Sequence, residues 1–86
     1  MSYEIRFTRT AAKQIALCRE AHLGGKVEEL LNIIRENPFQ TPPPCEKLKG
    51  MTDVYSRRLN IQHRMVYQVD TAMQRIKILS LWTHYE

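Results

Sequence analysis

The stretch Tyr55–Val69, YSRRLNIQHRMVYQV, sets Arg57, Arg58, His63 and Arg64 among aliphatic and aromatic residues. Buried charge is costly unless paired, so these cations either coat a wet face or line a site that receives an anion. A guanidinium held on a strand can grip a phosphate through two parallel hydrogen bonds and balance charge building on it during reaction. Upstream stands Glu46, beside Lys47 and near Lys49. A carboxylate in that setting is expected to be able to take a proton from a nucleophile. Near the end, His84 brings an imidazole suited to proton transfer near neutrality, and Tyr85 a phenol that can stack on a base or donate a hydrogen bond. Each has a plainer alternative: a surface ion pair for Glu46, a solvated strand face for the arginines, a frayed terminus for His84 and Tyr85. Cys45 has no histidine near it in sequence to activate a thiol and is set aside. His63, near a strand reversal, is expected to be exposed and idle.

Alternation decides which of these residues can meet. Val54, Ser56, Arg58 and Asn60 fall on one side of a strand, and Tyr55, Arg57, Leu59 and Ile61 on the other. In the next strand Arg64, Val66 and Gln68 oppose His63, Met65, Tyr67 and Val69. Tyr67 and Val69 read as core, which turns Arg64 to the open face.

The surrounding elements follow from periodicity. Tyr3–Phe7 alternates apolar and charged residues, as a half-buried strand does. Thr8 or Thr10 can cap a helix over Ala11–His22, with Ala12, Ile15, Ala16 and Arg19 along one side and Gly24-Gly25 as its break. Val27, Leu30, Leu31 and Ile34 form the apolar stripe of a second helix, ended by Asn37-Pro38. Phe39–Pro44, with three consecutive prolines, is a stiff connector. Lys47–Asp53 is a polar approach turning at Gly50. Strands are expected over Val54–Ile61, His63–Asp70 and Arg75–Trp82, with a turn at Thr71–Gln74; the last, rich in Ile and Leu, belongs near the sheet centre. The order strand, two helices, then antiparallel strands is the α+β class. The helices cover one face and leave the other curved, basic and open. Trp82 should anchor the tail that carries His84 and Tyr85.

The 86 residues suit a single domain, 1–86. The net charge of +4 favours an acidic partner without choosing between nucleic acid and protein. Residues 46–86 carry seven Lys or Arg against four Asp or Glu, so most of the excess sits with the arginine-rich hairpin. Two cysteines make neither a disulfide framework nor a zinc site. No apolar run has the length of a membrane span and no signal-peptide pattern opens the chain, so a reducing cytoplasm is the expectation.

The succession Glu46, Leu48-Lys49-Gly50, Tyr55-Ser56-Arg57-Arg58, His63-Arg64-Met65-Val66-Tyr67 and terminal His84-Tyr85 resembles the YoeB/Txe family. These are small toxins of bacterial type II toxin–antitoxin pairs, within the RelE superfamily. The resemblance covers nearly the whole chain, and Pro38-Phe39 fits it too. It implies a microbial-RNase-like (RelE-like) fold and a ribosome-dependent endoribonuclease that cuts mRNA in the A site of the 30S subunit, inhibiting translation. It implies Glu46, Arg64, His84 and Tyr85 as catalytic residues. Lys49 and Arg58 match supporting phosphate positions, and Arg57 and Lys47 join them as candidate RNA contacts. It implies no metal or organic cofactor, an antitoxin of the YefM/Axe kind whose acidic C-terminal segment covers the site, and self-association as a homodimer. Glu86 follows Tyr85, where the family often stops at or near the tyrosine.

That chemistry agrees with the residues. RNA can be cut by its own 2′-OH attacking the adjacent phosphate, which calls for a base, a cation for the phosphorane charge and an acid for the leaving 5′ oxygen. Glu46, Arg64 and His84 are of the right types, with Tyr85 orienting a base or the phosphate. Two other classes stay open: a basic RNA-binding module without catalysis, and an antitoxin-binding domain of the same superfamily.

Overall fold

The computed structural model describes residues 2–82. Seven elements follow in order: β1 (Glu4–Phe7), α1 (Arg9–Glu20), α2 (Gly24–Glu36), β2 (Glu46–Lys47), β3 (Val54–Arg58), β4 (Arg64–Asp70) and β5 (Arg75–Ser80). The strands form one sheet in the order β1-β5-β4-β3-β2. β1 runs parallel to β5, and the other neighbours are antiparallel. The α+β expectation holds. β5 is an interior strand, one place from the central β4.

Thr8 is the cap of α1. Its Oγ1 accepts from the Ala11 N–H at 3.1 Å and donates to the Leu79 carbonyl at 3.1 Å, tying the helix start to β5. The buried face of α1 is Ala11 and Cys18, with Ile15 packed against the core between them. The expected stripe was offset: Ala12, Ala16 and Arg19 are exposed. Small side chains let this helix sit close to the sheet, and such residues carry a weak hydrophobic signal. The helix ends one turn before the glycines. His22 takes the left-handed conformation (φ 62), its N–H bonds the Arg19 carbonyl, and the Leu23 N–H bonds the Cys18 carbonyl at 2.7 Å. That is a Schellman closure with histidine in the usual glycine place. Gly24 and Gly25 open α2 instead of breaking α1.

α2 buries Val27, Leu30 and Ile34, as its stripe predicts, with Leu31 half-buried. Against them lie Met65, Tyr67 and Val69 of β4, Ile76 and Ile78 of β5, and Leu59 and Leu81. The helices thus cover one sheet face. The other presents Arg6, Lys77, Gln68, Arg64 and Arg58 by alternation from the register.

The two hairpin strands and β5 are all shorter than expected, for local reasons. Asn60 Oδ1 accepts from the Gln62 and His63 N–H groups at 2.8 and 2.7 Å, so Leu59–His63 turns instead of continuing the ladder and leaves Ile61 at the tip, 92% exposed. At the end of β5, the Leu81 and Trp82 N–H groups bond Gln14 Oε1 of α1 at 2.7 and 3.3 Å. β2 is a two-residue edge strand, and Gly50 supplies the turn after it at φ 79. Among the described residues, no helix is long and apolar enough to cross a membrane.

Candidate active site

Three adjacent strands bring the candidate residues together. Glu46 on β2 pairs in register with Ser56 on β3, and Arg58 on β3 pairs with Arg64 on β4. All four side chains therefore share the face away from the helices. Arg64 reaches back across β3, and its Nη1 lies 3.0 Å from Glu46 Oε1. Pro44, Cys45, Glu46, Ser56, Arg58 and Arg64 line a cleft of about 300 Å³. Its lining supplies a carboxylate, two guanidiniums and a hydroxyl, a set able to bind an anion while keeping a base beside it.

Lys47 and Lys49 stand apart from this cleft. Lys47 pairs with Tyr55, which places it on the helix side of the edge strand, away from Glu46. Lys49 is exposed in the turn beyond β2 and does not line the cleft. His84 and Tyr85 lie outside the described residues. Trp82, the last described residue, stacks its ring on His63 with centroids 3.9 Å apart and planes 17° apart. His63 is therefore buried at 9% exposure, in place of the exposed position its sequence context suggested. The aromatic surface of Trp82 outweighs the polarity of the turn. Trp82 itself packs against the core, and the tail it was expected to anchor lies outside the described residues.

Arg57 is the main correction. It is 1% exposed and sits on the core face with Tyr55 and Leu59. Its Nε donates to Tyr67 Oη at 2.9 Å, Nη1 to the Pro43 carbonyl at 2.8 Å, and Nη2 to the Pro38 and Gln40 carbonyls at 3.2 and 2.7 Å. A guanidinium so enclosed is turned away from the cleft and is occupied by acceptors of its own chain. It holds the proline connector against the sheet, and Cys45 and Glu46 follow that connector directly. Tyr67 completes the anchor: its hydroxyl donates to the Pro38 carbonyl at 2.7 Å and lies 3.4 Å from Cys45 Sγ. Burial, and then the contact with Cys45, push the Tyr67 phenol well above its ordinary range; the Arg57 guanidinium opposes that shift only in part. The signal was available, since alternation alone puts Arg57 on the apolar side. Ser56 also lines the cleft; alternation and the motif both include it, but its residue type alone did not make it a candidate.

The family model described as the YoeB-like toxin of bacterial type II toxin–antitoxin systems matches residues 14–85. Comparison with curated protein sequences gives no match. The chain is similar to a YoeB/ParE toxin structure from Agrobacterium tumefaciens, with 27% identity and a TM-score of 0.86, covering 95% of this chain and 99% of that one. It is similar to the YoeB dimer from Staphylococcus aureus, with 35% identity and a TM-score of 0.84 over 99% and 100% of the two chains. The heterotetrameric YoeB–YefM toxin–antitoxin complex from Staphylococcus aureus gives 35% identity and a TM-score of 0.80 over the same shares. With the family model spanning most of its length and both arginines and the carboxylate gathered in one cleft, the chain belongs to the YoeB-like toxins of bacterial type II toxin–antitoxin systems.

Proposed function

We propose that this toxin is a ribosome-dependent mRNA endoribonuclease that cuts in the A site by attack of the RNA 2′-OH on the adjacent phosphate. Family membership supports ribonuclease activity in general. The observation that carries the finer reading is the Glu46–Arg64 contact at 3.0 Å, with Arg58 in register opposite Arg64. A phosphate entering the cleft competes with Glu46 for the Arg64 guanidinium. As Arg64 turns to the phosphate, the Glu46 carboxylate is released beside the 2′-OH, where it accepts the proton. Arg64 then balances the charge that grows on the phosphorane, and Arg58 holds a non-bridging or neighbouring phosphate oxygen. His84 delivers a proton to the leaving 5′ oxygen and Tyr85 orients the base or phosphate. Lys49 contributes longer-range attraction to the RNA backbone. The nucleophile is the substrate's own hydroxyl, so no cofactor enters this scheme.

We also propose a cytoplasmic setting, control by an antitoxin whose acidic segment neutralises the open basic face, and self-association like that of the Staphylococcus aureus relative. The test is to add the purified toxin to ribosomes programmed with a defined mRNA and map new 5′ ends. Cuts confined to A-site codons, dependent on ribosomes and lost in Arg64→Ala, are expected. Intact mRNA with the wild-type protein refutes the reading in favour of a non-catalytic binding domain.

A further inference from the structure

We infer that Ser56 is an additional RNA-contacting residue, whose hydroxyl donates a hydrogen bond to a non-bridging phosphate oxygen in the Glu46–Arg58–Arg64 cleft. The inference rests on the reading above and adds a residue to it.

Ser56 occupies the middle of the three strands that build the cleft. It pairs with Glu46 on one side and Val66 on the other, and alternation puts its side chain on the face of Arg58. Arg64 starts on β4 and meets Glu46 on β2, so the ion pair spans the strand that carries Ser56. A short side chain at that position lets the pair close. Ser56 is 1% exposed and lines the cleft floor. Its Oγ has no hydrogen-bond partner among the described residues.

A buried hydroxyl without a partner lowers stability, because its desolvation is not returned. Alanine would fill nearly the same space without that cost. Packing therefore accounts for the size of this side chain and not for its oxygen. A ligand accounts for both. The ligand must accept a hydrogen bond and carry negative charge, since two guanidiniums here face one carboxylate. A phosphodiester oxygen meets both demands. When it draws Arg64 from Glu46, the cover over Ser56 opens and the hydroxyl reaches the same oxygen cluster from below.

The experiment compares wild type with Ser56→Ala in three measurements: the urea midpoint, affinity for a fully 2′-O-methylated single-stranded RNA oligonucleotide that cannot be cut, and cleavage on programmed ribosomes across pH. The expected result is a midpoint equal to or above wild type, oligonucleotide affinity weakened roughly tenfold, as for loss of a hydrogen bond to a charged group, and slower cleavage with the pH profile in place. A variant with a lowered midpoint assigns the hydroxyl to the fold and overturns the inference. So does unchanged affinity with a displaced acid limb, which would mean that Ser56 acts through Glu46. Wild-type protein that fails to cut on ribosomes refutes the function proposed above. Wild type that cuts, with Ser56→Ala equal to it in affinity and rate, refutes the role of Ser56 alone.

Discussion

Replacing Arg57 with methionine removes the guanidinium while keeping a long apolar stem in the core. Four hydrogen bonds go with it: one to Tyr67 Oη and three to the carbonyls of Pro38, Gln40 and Pro43. Hydrogen bonds from a charged donor are each worth about 1.5–3 kcal/mol, but simple addition overstates the loss. The bonds to Gln40 and Pro43 are only partly buried, so water can replace them. Pro38 keeps the bond from Tyr67. The desolvation cost of the cation is also recovered when it is removed. The remaining loss is that of hydroxyl and carbonyl acceptors left without a donor, about 1–3 kcal/mol for each that water does not reach and about 4 kcal/mol together. In a domain of this size each kcal/mol moves Tm by about 4–8 °C, so a loss of about 4 kcal/mol lowers Tm by about 15–30 °C. Arg57→Lys should recover little, because an ammonium on a flexible stem cannot match a planar fork spread over four oxygens. Urea denaturation followed by circular dichroism measures the loss, and limited proteolysis of residues 38–45 locates it. A destabilisation below about 1 kcal/mol, with the connector still protected, would refute the anchor argument.

Three further outcomes follow from the same geometry. Thr8→Ala removes both the α1 cap and the bond to Leu79, and should cost about 1–2 kcal/mol by urea midpoint; an unchanged midpoint would mean that the cap is idle. Glu46→Gln should abolish most ribosome-coupled cleavage while moving stability by less than about 1 kcal/mol, since its ion pair is solvent-facing; a large stability loss would give Glu46 a structural role instead. Tyr67 keeps its phenolic proton in the fold to higher pH than in the unfolded chain, where it titrates near pH 10. Stability is therefore intact below about pH 10 and falls as pH rises toward the folded pKa, because only the unfolded chain is losing that proton. Tyr67→Phe should flatten that alkaline decline in urea midpoint; parallel declines would refute the assignment.

Much of this was readable in the sequence wherever one pattern dominated. The α2 stripe Val27, Leu30, Ile34 is strongly apolar, and the proline connector admits no regular element. Alternation through the hairpin placed Arg64 and Arg58 on one face. The rest depended on partners distant in the chain. The core face of α1 is written in small residues, so its direction is set by the sheet it approaches. Arg57 looked like a phosphate ligand because its charge is visible in sequence while the carbonyls of Pro38, Gln40 and Pro43 are not. His63 takes its burial from Trp82, and Ser56 gains meaning only from the ion pair above it.

The parallel pairing of β1 with β5 also bears on how the toxin is made. Glu4 lies beside Arg75 and Phe7 beside Ile78, so the first strand has no ladder partner until β5 is available. Between them lie both helices and the whole basic hairpin. Contacts of such long sequence separation carry a large loop-closure cost and slow the folding reaction. The five-stranded sheet is therefore complete only once β5 has paired with β4 on one side and with β1 on the other.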